Sequence, residues 1–464
     1  MHVACMYMFA VRGDRGDLGL LSVLPIEVLH PIIMQCQASS VRGVCRALRS
    51  AYDESNTKLT FKSEEDEDEY SKLIIRSEEP DPVVGGHNSW RPPDDIEDLL
   101  KRLAVSSPRV TYVCVRGTAA WSRLKLRAVF AETMMMMIIT LSMENCLDAA
   151  DIIPLAATLP LLANLQHLEL SHIFIDAEGV ASLAHALSAL HHLHHLNLRG
   201  NSIGAEGAAC LAPALSILLN LQDLDLSNNS IGAEGVASLT PALSMLLNLR
   251  QLDLSMNLMH AEGAASLVPA LSILINLWYL DLGENYIGDE GVASLAPALS
   301  MLINLQHLNL RGNSIGGEGA ASLAHALTFI KIRHLDLSAS ASASTSSRLI
   351  NLQYLDLSWN NIGDEGAASL ALALSASASA SASSGNSPLI NLQHLFLCGN
   401  NIGDVGAASL ANALSASASS GNSINLNLKS LDLSMNLMGD EGVACLACLV
   451  PALSSLRYVG LCMH

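Results

Sequence analysis

Leucines keep a fixed beat through the middle of the chain. The spacing L-x-x-L-x-L-x-x-N-x-I stands at Leu193, Leu196, Leu198, Asn201 and Ile203, and it returns every 28 residues with first leucines at Leu221, Leu249, Leu277 and Leu305. Within one unit the period changes. Leu196 and Leu198 alternate with polar neighbours, which predicts a short strand with one buried face. Ala208, Leu211, Leu215 and Leu218 recur three and four apart, which predicts the apolar side of a helix. Asn201 is expected to close the turn between them, because its carboxamide can satisfy backbone groups that neither element pairs. Gly204 and Gly207 are expected to relax the backbone there, with Glu206 at a helix N-terminus that favours negative charge. Pro213, Pro241, Pro269 and Pro297 fall mid-helix, where proline costs about 3 kcal/mol, so the helices are expected to kink or to start late.

Units that repeat in this way bury their apolar faces only against each other, so the expected architecture is a solenoid. A degenerate beginning is visible upstream. Val110, Val113 and Val115 mimic the strand, and Asn145 and Leu147 fall in register with Asn201 and Ile203. The array is expected to start near Asp94, with Ile96, Leu99, Leu100 and Leu103 on a capping helix. Leu335 and Leu337 suggest a strand that lacks its Asn turn and runs into a Ser/Ala tract, Ser338–Ser347. With Ser375–Ser387 and Ser415–Ser423, these tracts cannot form a core and are expected to be mobile loops on one rim. The last strand, Leu456 to Leu461, is expected to leave an uncapped edge. From about Leu165 to Leu461 the repeats resemble the leucine-rich repeats of the ribonuclease-inhibitor subfamily. That resemblance implies an α/β horseshoe, with parallel strands on the concave side and helices on the convex side.

The front of the chain reads differently. Leu24-Pro25-Ile26-Glu27-Val28-Leu29, then Ile32-Ile33 and Val44-Cys45-Arg46, resemble an F-box. Pro25 suits the first position of a helix, where its missing N–H is no loss, and Leu29 and Ile33 share a face. The resemblance implies a small helical unit over residues 18–60 that docks on the adaptor of a cullin-type ubiquitin ligase through Leu24, Pro25, Leu29, Ile33 and Val44. The alternative is an amphipathic cap for the solenoid. Residues 61–93 carry the run Glu64-Glu65-Asp66-Glu67-Asp68-Glu69, followed by prolines and glycines, and are expected to form a disordered acidic linker. The solenoid then occupies 94–464.

Composition narrows the partners. The net charge is −19, half the residues are hydrophobic, and only 4% are aromatic. A phosphate backbone would be repelled, so nucleic acid is not expected, whereas a basic protein is. The apolar stretch Met1–Val11 lacks a basic leader and an obvious small-residue cleavage site, Met134–Ile139 is too short to span a bilayer, and no membrane association is expected. Cys445 and Cys448 form a lone CxxC with no second pair to complete a zinc site, so Cys445 is expected to fill a small buried slot as Ser294 does. A reducing compartment, cytoplasmic or nuclear, fits unpaired cysteines.

No phosphate-binding loop, nucleophile elbow or H-E-x-x-H pair occurs. His191, His192, His194 and His195 cluster, with His167 and Glu169 one strand away, but the ordinary role for such histidines is on a solvated strand. No cofactor, metal or catalytic residue is expected. The residue between the strand leucines is more informative, running Glu169, Asn197, Asp225, Asp253, Asp281, Asn309, Asp336, Asp356, Phe396 and Asp432. Two positions earlier stand His167, His195, Asp223, Gln251, Tyr279, His307, His334, Tyr354, His394 and Tyr458. Acids flanked by rings suit a protein-binding face, with Asp225, Asp253, Asp281 and Asp356 as its charges and Trp278, Tyr279, Tyr354 and Trp359 as its anchors. Equally, L-D-L-S can be repeat consensus with no role in binding. The expected function is substrate selection for a ubiquitin ligase. The alternatives are a freestanding repeat scaffold or sensor, or a small-GTPase regulator whose repeats are similar to those of Ran GTPase-activating protein.

Overall fold

The computed structural model describes residues 59–60, 71–76, 110–116, 139–144, 152–333, 352–379, 391–419, 428–448 and 455–461. The chain divides into two compact units, Met1–Ser202 and Ile203–His464. In the first, β1 (Leu59–Thr60) runs antiparallel to β2 (Ser71–Arg76). Strands β3 (Val110–Arg116), β4 (Thr140–Glu144), β5 (His167–Ser171) and β6 (His195–Asn197) follow, each parallel to its predecessor. Helix α1 (Ile152–Thr158) precedes β5, and α2 (Ala177–Leu187) connects β5 to β6. The strand expected from Val110 is β3. Two strands lie ahead of Asp94, so the sheet begins earlier than the leucine beat suggests, and β2 occupies six residues inside the stretch expected to be linker. The F-box-like residues Leu24, Pro25, Leu29, Ile33 and Val44, the capping-helix residues, and Asn145 and Leu147 lie outside the described residues.

The second unit repeats strand, turn and helix. Its strands are β7 (Asp223–Asp225), β8 (Gln251–Asp253), β9 (Tyr279–Asp281), β10 (His307–Asn309), β11 (Tyr354–Asp356), β12 (His394–Phe396), β13 (Ser430–Asp432) and β14 (Tyr458–Gly460). Neighbours pair in parallel throughout, with the central residues opposite one another. The helices are α3 (Gly204–Leu215), α4 (Gly232–Leu243), α5 (His260–Leu271), α6 (Gly288–Leu299), α7 (Gly317–Arg333), α8 (Gly363–Ser379), α9 (Asp404–Ser419) and α10 (Asp440–Ala447). In one unit Leu249, Leu252 and Leu254 from the strand side and Leu267 and Leu271 from α5 are all fully buried. Each such leucine contributes about 1.5–3 kcal/mol, and the spine of the solenoid is made of them.

Turns between strand and helix are tied by a ladder of asparagines. Asn257 is 0% exposed. Its Oδ1 accepts from the N–H groups of Asn229 (3.0 Å) and Ile231 (3.3 Å) in the preceding turn. Its Nδ2 donates back to the Leu226 carbonyl (2.8 Å) and to its own unit's Leu254 and Ser255 carbonyls. Asn285, Asn313, Asn360, Asn400 and Asn436 repeat the arrangement, as Asn201 does in the first unit. This is the accounting that the asparagine in the repeat predicts.

Several expectations need correction. The second glycine of the turn does not relax the backbone; it is a packing residue. A Cβ on Gly235 would stand 3.0 Å from the Ala205 Cα of the previous helix, so the helices could not approach as they do. The prolines do not delay the helices. Pro241 lies in the last turn of α4 and is exposed, so the carbonyl it leaves unbonded can be hydrated. β10 and β11 pair directly; the strand expected at Leu335–Leu337, with His334 and Asp336, lies outside the described residues. The two tracts that start at Ser375 and Ser415 do not begin as loops: α8 continues to Ser379 and α9 to Ser419, since alanine propagates a helix already nucleated by packed turns. Cys445 also departs from expectation, being exposed rather than buried, as is Cys448.

Candidate functional site

Alternation along three-residue strands turns the central leucine inward and leaves the first and third side chains on the open face of the sheet. In the second unit the first positions run Asp223, Gln251, Tyr279, His307, Tyr354, His394, Ser430 and Tyr458, and the third run Asp225, Asp253, Asp281, Asn309, Asp356, Phe396, Asp432 and Gly460. Neighbouring strands lie about 4.8 Å apart, so rings in adjacent first positions must stack. Tyr279 and His307 are 4.4 Å apart between ring centres and 17° from parallel; His307 and Tyr354 are 4.0 Å apart and 12° from parallel. Tyr354 then meets Phe396 at 5.1 Å and His394 at 6.1 Å, tilted by 43° and 40°. Trp278 meets Tyr279 edge-on at 6.0 Å.

The acids of the third row share one local function. Oδ1 of Asp225, Asp253, Asp281, Asp356 and Asp432 each accepts the N–H two residues later, at 2.8–2.9 Å, as Asn309 Oδ1 does from Arg311. An Asp or Asn here ends the strand, which accounts for its recurrence without any partner. The difference lies in the second oxygen. Asp281 Oδ2 accepts from Tyr279 Oη (3.2 Å) and Asn309 Nδ2 (2.9 Å), and the residue is 8% exposed. Asp356 is equally buried, two residues after Tyr354. The hydrogen bonds to Asp225 and Asp253, by contrast, all fall on Oδ1, from Ser227 and Ser255. The two carboxylates stand opposite one another on paired strands, half-buried, with their outer oxygens unengaged.

The electrostatics follow this geometry. Burial, aided by the charges of Asp281 and Asp225, pushes Asp253 up to about 6. Burial also raises Asp281, against its hydrogen bonds from Gly283, Asn309 and Tyr279. Burial lowers His307 to about 4, so the middle ring of the stack is neutral at pH 7. Burial and the nearby Asp356 and Asp281 hold Tyr354 up at about 12, and burial and Asp281 raise Tyr279 likewise.

Of the sequence-predicted site residues, the fold gathers Trp278, Tyr279 and Tyr354 into the ring stack, with Asp225 and Asp253 beside it. It withdraws Asp281 and Asp356 into internal bonds. Trp359 lies beyond the strand end, 47% exposed, with its indole over Gly399 and the Arg311 guanidinium 5.8 Å above it. Arg311, also 3.9 Å from Glu284, was missed by reading only the strand columns; aligning the position two after the strand would have found it. Also missed is a ladder at strand entry, where Gln306, Gln353, Gln393 and Lys429 bond in turn. In the first unit His195 Nε2 lies 3.9 Å from Glu169 and its ring 5.9 Å from that of His167. Among the described residues no group of three or more metal-ligating side chains converges. None of the described helices is long and apolar enough to cross a membrane.

Comparison with known families identifies the repeat. The Leucine Rich repeat model matches residues 189–212, 218–239, 275–296, 302–324, 348–371, 389–411 and 425–447. Among solved structures the chain is similar to an internalin (inlF) from Listeria monocytogenes str. 4b F2365, at 18% identity over 72% of this chain and 82% of that one, with a TM-score of 0.38. It is similar to a chain in the Rad7 and Elc1 complex of yeast at 15% identity, over 75% and 81% respectively, also with a TM-score of 0.38. No curated protein matches the chain. Seven leucine-rich repeats are found in this protein, and its fold is a leucine-rich-repeat solenoid, an architecture suited to binding other proteins.

Proposed function

We propose that the chain is a receptor that binds a basic protein partner on the strand face of its second unit, and that its F-box-like front end presents this partner to a cullin-type ubiquitin ligase. The observation that carries the binding half is the pair Asp225 and Asp253, whose outer oxygens lack hydrogen-bond donors beside a row of stacked rings. Two such charges repel each other, and a cation placed between them relieves both the repulsion and the loss of hydration. The aromatic row supplies the area that dominates protein interfaces. For the ligase half the support is the motif from Leu24 to Arg46 and its place ahead of leucine-rich repeats. The chain itself would supply no catalytic group; holding a substrate close to the transferring subunit does the work.

The test is affinity capture from cell extract with the full chain. Asp225→Asn with Asp253→Asn should lose captured partner, and Leu29→Asp with Ile33→Asp should lose the ligase adaptor while keeping that partner. Adaptor capture unaffected by the second pair would sink the docking stripe and leave the freestanding scaffold. Retention of every partner by the first pair would reduce the acid row to its strand-ending role. Stimulated GTP hydrolysis by the chain would instead favour the GTPase-regulator alternative.

A further inference from the structure

The two rows on the strand face are not uniform from one end to the other. On β7 and β8 the first positions are Asp223 and Gln251, and the third are Asp225 and Asp253 with open outer oxygens. From β9 to β12 the first positions are all rings. There the third positions are Asp281 and Asp356, both buried, the first bonded by the Tyr279 hydroxyl, then Asn309, which spends its Nδ2 on Asp281, and Phe396. The tyrosine rings are what divide the face. Where Tyr279 and Tyr354 are present, the acid two residues later is buried and its neighbourhood becomes a platform of rings. Where they are absent, the acids face outward.

We infer that this face reads a segment with two separated parts: one or two arginine or lysine residues that sit on Asp225 and Asp253, and an aromatic or large aliphatic residue that packs on the ring platform of β9 to β12. The inference rests on the partner reading above and makes it more specific. The middle of the acidic pair and the middle of the platform are three strand spacings apart, about 14 Å, which is about four residues of extended chain. A segment laid across the strands would then show its basic end to β7 and β8. Charge complementarity selects this occupant: an acidic or uncharged segment would cover the two outer carboxylate oxygens without a compensating positive charge, at a desolvation cost. An arginine at the β8–β9 boundary would also find the face of Tyr279. Arg250 precedes Gln251 and is exposed at the strand-entry side, so the basic end should meet the third-position acids rather than the entry edge.

The experiment uses the full chain and fluorescent peptides of one composition. In the first, two arginines and a Trp-Leu pair are separated by four Gly/Ser residues; in the second, the same residues are interleaved. The first should bind about tenfold more tightly, the scale of a partly buried ion pair added to an aromatic contact. Asp225→Asn with Asp253→Asn should erase that preference. Folding should survive this change, because Asn309 makes the same Oδ1 bond at the equivalent position. Phe396→Ser should weaken only peptides that keep the Trp-Leu pair. Equal affinity for both peptides overturns the two-part address while leaving a basic partner in place. If neither peptide binds, the address is overturned as well, and capture of a partner that still depends on Asp225 and Asp253 shows that the broader reading survives.

Discussion

Truncating Asn257 to alanine would remove five hydrogen bonds and strand the buried N–H groups of Asn229 and Ile231. An unsatisfied buried donor costs about 1–3 kcal/mol. Asn257→Ala should therefore lower the unfolding free energy by about 2–4 kcal/mol, read from urea denaturation; a loss under about 1 kcal/mol would mean that water restores the bonds. Asp253 makes the opposite case. Its folded pKa of about 6 lies above the ordinary 3.8, so the folded chain holds a proton that the unfolded chain has released between those values. Stability contributed by the protonated group is lost as pH rises through that window, and above about pH 6 the ionised carboxylate is a burden. Asp253→Asn should raise stability by about 1–2 kcal/mol at pH 7 and leave it nearly unchanged at pH 4. A flat difference between the two pH values would show that the carboxylate is solvated. Asparagine in the ladder was readable from its place in the repeat. The split between open and satisfied aspartates was not, because it depends on which residue stands two positions earlier and on burial that a consensus column hides.

Helix placement turns on two glycines with different roles. Gly232 has φ +68° and open space around its Cβ position, whereas Gly235 has no room between Ile231 and Ala205. Gly232→Ala should cost about 1 kcal/mol, the left-handed penalty alone. Gly235→Ala should cost about 1–3 kcal/mol through displaced packing. Thermal denaturation of the two variants separates them, and equal shifts would remove the distinction. The sequence showed both glycines and the helix that follows, but not that the second lets neighbouring helices touch. Strand and helix identity in the regular 28-residue units was legible because period two and period 3.6 occupy different stretches. It failed at Ser375–Ser379, where low complexity masked the helix propensity of alanine.

A net charge of −19 gives the molecule a long-range field as well as a local site. Association with a basic partner should slow by about tenfold or more between ~50 mM and ~500 mM salt, measured by stopped flow, with dissociation much less affected. A rate that ignores salt would place recognition on the rings alone. The ordinary spacing in the asparagine ladder is 28 residues, yet Asn313 donates to Asn360 across 47 residues, and Asn400 donates to Asn436 across 36, with bonds of the same length. The spine thus counts turns, not residues. Lengthening or shortening the chain between rungs, as in the Ser/Ala tracts, should therefore leave every rung with its neighbour and be neutral for stability, where a single asparagine change is not.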